Sequence, residues 1–197
     1  MPEAIEKLQE QAFALYARGE WQKALALQQE VMAWVNINLP ALHPFRAKAL
    51  IALGDYLSKL DPEPFPFFLD PPDERALQAK SLPPILEAVK IYRALAQSNP
   101  AFLDDLSDAL FTLGDRYDRL HLSEEALPPL KEVAKIVRGQ GGEFTLWRSL
   151  ERLGFLYLIT GRRSEAIPCL AEGVKIIRKI AKTNIKLAYL PISTNYT

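Results

Sequence analysis

Residues that build redox and metal sites are scarce in this chain of 197 residues. A single cysteine, Cys169, excludes an internal disulfide and a cysteine-built zinc site. Two histidines, His43 and His121, are too few for a histidine metal cluster. Neither sign of charge is in excess: 24 Lys and Arg face 24 Asp and Glu. A neutral surface does not displace the counterions of a nucleic acid, so broad nucleic-acid binding is not expected. No stretch approaches the ~20 uninterrupted apolar residues of a membrane helix. The N-terminus is acidic from Glu3 onward, without the basic region and apolar run of a secretory signal. Gly139-Gln140-Gly141-Gly142 is not followed by Lys-Ser/Thr, so it reads as a linker rather than a phosphate loop. These absences predict a protein of a reducing compartment, the cytoplasm, with no cofactor and no metal.

What is present is a core and a repeat. Apolar residues make up 49% of the chain, enough for a packed interior. Three segments read alike: Leu50-x-x-Leu53-Gly54-x-x-Leu57, Leu110-x-x-Leu113-Gly114-x-x-Tyr117 and Leu150-x-x-Leu153-Gly154-x-x-Tyr157. Each is followed by a second shared segment, opened by Ser81-Leu-Pro-Pro, Ser123-Glu-Glu-Ala and Ser164-Glu-Ala respectively. A fainter copy at the N-terminus has Ala12 in the place of the glycine, then Gly19, Trp21 and Ala24. Apolar residues recur at three- and four-residue steps in both segments, which predicts two amphipathic helices per unit. The glycine of the first helix and the alanine of the second (Ala24, Ala126, Ala166) are small where helices cross closely. Gly19 and Gly161 suit the positive φ of a tight turn, and Ser123 and Ser164 stand where an N-cap is wanted. One hairpin cannot bury its apolar stripe, so the units must stack.

The pattern Leu-x-x-Leu-Gly-x-x-Tyr, followed by Gly-x-x-x-Glu-Ala-Ile, resembles the tetratricopeptide repeat (TPR). A spacing of 40 residues from Gly114 to Gly154 exceeds the usual repeat of about 34 and is similar to the kinesin-light-chain-like variant of bacterial repeat proteins. Leu-Pro-Pro and the segments Ala96-Gln97-Ser98-Asn99 and Ala181-Lys182-Thr183-Asn184 carry the same likeness. It implies an all-α, right-handed α-solenoid of about four antiparallel helical hairpins. The units are expected at residues 3–38, 44–98 with an insertion at 61–75, 101–138 and 144–183, in a single domain over 1–187. Residues 188–197 resemble the start of a further repeat. The implied activity is non-catalytic: binding of a peptide or helix from a protein partner in a concave groove. An alternative is a regulatory or sensor segment of a larger bacterial signalling ATPase or caspase-like protein.

In such proteins the groove is lined by the first helices, opposite the Leu/Gly stripe. Repeat alignment places Phe13, Tyr16, Lys48, Ile51, Asp55 and Lys59 there from the first two units. The third unit adds Asp108, Phe111, Thr112, Asp115, Asp118 and Arg119, and the fourth Arg148, Glu151, Arg152 and Phe155. Arginines can pair with carboxylates and aromatic rings accept apolar side chains. Asparagines that many relatives use to grip peptide backbone are replaced by Ala52, Thr112 and Arg152, and Phe13 occupies another such place, which argues against a chaperone-tail ligand.

Three local features complete the expectations. Five prolines interrupt Asp61-Pro-Glu-Pro-Phe-Pro-Phe-Phe-Leu-Asp-Pro-Pro72, and its Phe65, Phe67 and Phe68 either pack on the solenoid edge or form a partner-binding flap. Prolines 83, 84, 128, 129 and 168 fall within second helices, predicting a kink or a helix that begins at the proline. Charge is segregated, with eight acids against three bases over 101–132 and seven bases against two acids over 161–197. That segregation, and an uncovered apolar face on the last helix (Ile167, Leu170, Val174, Ile177, Ile180), would permit self-association at the C-terminal end.

Overall fold

The computed structural model describes residues 2–59 and 74–183. Phe65, Phe67, Phe68 and the tail at 188–197 lie outside the described residues. Among those described, every regular element is helical, and they divide into two compact units, residues 1–122 and 123–197. The first unit holds α1 (Glu3–Ala17), α2 (Trp21–Asn38), α3 (Pro44–Leu57), α4 (Glu74–Ser98), one 3-10 turn (Pro100–Phe102) and α5 (Leu103–Arg119). The second holds α6 (Ser123–Gln140), α7 (Glu143–Ile159) and α8 (Arg163–Thr183).

Sequential helices pack on one another within each unit: α1 on α2, α2 on α3, α3 on α4 and α4 on α5, then α6 on α7 and α7 on α8. The apolar stripes supply the contacts. Leu50 of α3 is buried with Ile85 and Ala88 of α4 in the first unit, and Leu130 and Val133 of α6 with Leu150, Leu153 and Leu156 of α7 in the second. Each such leucine, isoleucine or valine contributes about 1.5–3 kcal/mol when fully withdrawn from water. The small residues act as expected. A Cβ on Gly54 would stand 2.6 Å from Ile85 Cγ1 and 3.1 Å from the Ser81 carbonyl oxygen; one on Gly154 would stand 2.5 Å from Leu170 Cγ. Ala12, Ala24, Ala126 and Ala166 are fully buried.

Three first helices end alike. The amides of Glu20, Leu122 and Arg162 donate to the carbonyls of Leu15, Tyr117 and Tyr157, at 3.0, 2.9 and 2.7 Å. The residue before each takes positive φ: Gly19 at 78°, His121 at 58° and Gly161 at 75°. These are Schellman closures, which favour glycine at that position. Helix starts are more varied. His43 caps α3 by accepting from the Phe45 amide at 3.2 Å, with Pro44 in the first turn. Ser164 does not cap α8. The helix begins one residue earlier at Arg163, and the Ser164 hydroxyl donates to Glu165 Oε2 at 2.6 Å. A constant 40-residue offset aligns Ser123 with Arg163, so Ser164 already lies inside the first turn.

Of the two alternatives for the prolines, a helix that begins there needs a correction. Helices α4, α6 and α8 start well before their prolines and run through them, so none begins at a proline. Each ring withholds one N–H from the carbonyl four residues earlier. Those carbonyls belong to Ala79, Lys80, Glu124, Glu125 and Ser164, all exposed residues, where water can replace the missing bonds.

Candidate binding groove

A cavity of about 510 Å³ opens on the first unit. Helix α1 supplies Gln9, Glu10, Phe13 and Tyr16 to its walls, and α3 supplies Lys48, Ile51, Ala52, Asp55 and Tyr56. Asp105, Asp108, Ala109 and Thr112 come from α5, and Tyr92 from α4. Spacings of three and four bring each set onto one helix face. The core cluster Ala12, Ala24 and Tyr56 lies against Tyr16 and Ala52 of the walls. Tyr16 and Tyr56 stack with ring centroids 4.7 Å apart and planes 25° apart. Phe13 leaves 65% of its surface open to solvent on the groove wall.

Electrostatics in the groove are set by burial. Asp55 is held above its ordinary value of 3.8 by desolvation, although Arg116 pulls it down. Burial likewise pushes the Tyr56 phenol up to about 12, with Asp55 adding to the effect. Tyr92 also rises to about 12, through burial first and then the carboxylates of Asp105 and Asp108. Both phenols therefore stay neutral and can donate. Tyr56 is 2% exposed and its hydroxyl has no hydrogen-bond partner.

Of the residues read from repeat alignment, Phe13, Tyr16 and Asp55 line this groove, with Lys48, Ile51, Asp108 and Thr112. Lys59 is exposed and Phe111 half-buried, and neither lines it. Asp115 and Arg119 pair along α5, Nε to Oδ2 at 2.8 Å, and Asp118 is half-buried. Arg148, Glu151, Arg152 and Phe155 stand on α7 in the second unit, the first two exposed and the others half-buried. Sequence reasoning missed Gln9, Glu10, Tyr56, Tyr92 and Asp105. Gln9 was findable, one turn before Phe13 on the same face; Tyr92 was not, because it arrives from a second helix.

Groups capable of chemistry elsewhere are placed for structure. Cys169 is half-buried on α8, its thiol pushed up by burial and then by Glu172. A thiol so shifted is a poor nucleophile. In the same unit Tyr157 receives Lys131 Nζ at 5.4 Å and Arg162 Cζ at 4.8 Å from its ring centroid. Arg162 also pairs with Glu165 at 3.0 Å and Glu124 at 3.4 Å, while Arg138 reaches Glu172 at 2.7 Å. Along α8, Ile167 and Val174 are exposed, Leu170 and Ile177 half-buried and Ile180 buried. No group of three or more metal-ligating side chains occurs among the described residues. No helix among them is long and apolar enough to cross a membrane.

Comparison with solved structures decides the architecture. BtubC from P. vanneervenii superposes with a TM-score of 0.74 at 15% identity, over 89% of this chain and 64% of that one. The fold is TPR-like. MamA matches with a TM-score of 0.58 at 17% identity, covering 92% of this chain and 82% of its own. Nearly identical TPR-like repeats of a kinesin-light-chain protein from Podosopora anserina match at 0.52 and 17%, covering 93% and 98%. At these identities the likeness establishes an all-α, TPR-like solenoid and nothing finer. This TPR-like chain spans 64% of the length of BtubC. No protein-family model matches the sequence, and no curated protein does.

Proposed function

We propose that this TPR-like chain is a non-catalytic protein-interaction module whose first unit takes a peptide or helix of a protein partner into its groove. The observation that carries the reading is the 510 Å³ cavity, with Phe13 exposed on its wall and the Tyr16–Tyr56 stack beside it. Such a volume accepts one or two large side chains, within the range of ligand pockets of about 300–1,000 Å³. Its walls are helices already packed in the free protein, so binding orders few protein groups and loses little entropy. A groove between first helices suits the helix-in-groove and extended-peptide modes of recognition. By repeat alignment, Arg148, Arg152 and Phe155 belong to the corresponding surface of the last unit.

Affinity capture from a native lysate tests the reading when wild type is compared with Ile51→Asp. Ile51 is half-buried in the groove lining, so a charge there spoils the apolar wall while the core stays intact. Loss of a captured partner, with an unchanged circular dichroism spectrum, is the expected result. A partner recovered equally by both proteins overturns the assignment of the groove.

A further inference from the structure

We infer that the outer face of α8 docks an acidic amphipathic helix of a partner, laid against it as α7 lies against α6. Ile167, Leu170, Val174 and Ile177 recur at steps of three and four and form one apolar stripe. Ile167 is 67% exposed and Val174 45%, while Leu170 and Ile177 are half-buried. The 40-residue offset sets these four on Leu127, Leu130, Ala134 and Val137 of α6. All four of those are buried, and α7 packs on α6. The shared Leu-Pro-Pro aligns α4 in the same way; there Ile85, Val89 and Tyr92 are buried, and α5 packs on α4. Helix α8 therefore carries the stripe that receives a following helix, and none follows it among the described residues.

Charge selects the occupant. The acids of α8, Glu165 and Glu172, are paired with Arg162 and Arg138. Lys175, Arg178 and Lys182 are exposed along the flank beside Val174, and among the described residues they hold no ion pair. A docked helix gains from leucines spaced like Leu146, Leu153 and Leu156 of α7, and from Asp or Glu on the side that meets these bases. A second copy supplies neither. Its α8 would bring the same bases against their like, which disfavours that pairing. Its α1, with Ala12 in the place of Gly154, presents exposed Ala4, Lys7, Gln11 and Ala14 where α7 buries Leu146, Ser149, Leu153 and Leu156.

A phage library of helical peptides as long as the 17 residues of α7, panned on the full chain, tests this. Ile167 and Val174 are exposed, so Ile167→Gln/Val174→Gln removes apolar surface without opening the core or changing the charge. Enriched peptides should share an apolar stripe flanked by acids. Their synthetic versions should bind about tenfold more weakly to that variant and about fivefold more weakly to Lys175→Gln/Arg178→Gln/Lys182→Gln. No enriched peptide, or only peptides that bind the apolar variant undiminished, overturns the inference. Peptides that need the stripe but ignore the three bases overturn it as an acidic helix. A sedimentation mass that doubles with concentration, and returns to the monomer in Ile167→Gln/Val174→Gln, assigns the face to a second copy and overturns it. Capture that begins only with Leu187→Asp/Leu190→Asp assigns the face to residues 184–197 of the chain itself, and overturns it too.

Discussion

Arg116 of α5 donates to Asp55 of α3 across 2.5 Å and 61 positions of chain. The guanidinium is only 8% exposed, and its Nη1 also reaches Gln78 Oε1 of α4 at 3.3 Å. Gln78 donates in turn to the Ser58 carbonyl at 3.4 Å, and the Ser58 hydroxyl to the Asp55 carbonyl at 2.7 Å. One ion pair thus ties three helices together beside the groove. Such pairs add little net stability over an apolar replacement, yet removing one partner is expensive.

Arg116→Met should cost about 2–3 kcal/mol at neutral pH, somewhat less than a fully buried pair because Asp55 is 35% exposed. Asp55 already lies above its ordinary 3.8. A carboxyl raised in the folded state takes up proton on folding, so its ionisation lowers stability as pH climbs from 3.8 through the folded value. Without Arg116 that folded value climbs further. The deficit against wild type should therefore widen toward neutrality and shrink near about pH 4. Urea unfolding at both pH values measures it; a deficit independent of pH would show that Asp55 is not the stranded group.

His121→Gly should stabilise the protein by about 0.5–1 kcal/mol, since His121 holds φ at 58° where the equivalent turns carry Gly19 and Gly161. Gly161→Ala should lose a similar amount. Denaturant midpoints that move in the same direction for both would contradict the shared closure.

Gly54→Ala should destabilise by about 1–3 kcal/mol, because the added methyl meets Ile85 at 2.6 Å and the Ser81 carbonyl at 3.1 Å. Combined with Ile85→Ala, the loss should be smaller than the two separate losses together. Strict additivity in that double-mutant cycle would mean the two residues do not press on each other.

Gln28 occupies the apolar stripe of α2 with Ala24, Val31 and Val35 and is fully buried. Its Nε2 donates to the Ala49 carbonyl at 2.8 Å, and its Oε1 accepts from Gln9 Nε2 at 2.8 Å. Gln28→Leu should cost about 1–2 kcal/mol. Hydrogen exchange should localise the loosening to α1, α2 and α3; protection unchanged in all three would count against the amide as their link.

Several of these residues were legible only in part. Leu50, Leu110 and Leu150 announced their burial through helical spacing, and Gly54 and Gly154 announced close crossings. The position two residues after each repeat glycine did not stand out. It is buried in every copy, as Tyr56, Arg116 and Leu156, with three unlike chemistries. The sequence marked the next residue instead, because Tyr117 and Tyr157 recur there. No helix starts at a proline, because propensity counts the one lost hydrogen bond and not the many that the rest of the helix keeps.

Hairpin count, stripe, small residues at crossings and the two glycine turn closures were written in the chain, since each depends on neighbours a few residues away and on the fixed 3.6-residue period. Which charge would be buried, and which side chains would meet around a cavity, was decided by the approach of α1, α3, α4 and α5. That approach joins residues as distant as Asp55 and Arg116, and no local pattern encodes a meeting across 61 positions. The groove and its charge are properties of the packed unit.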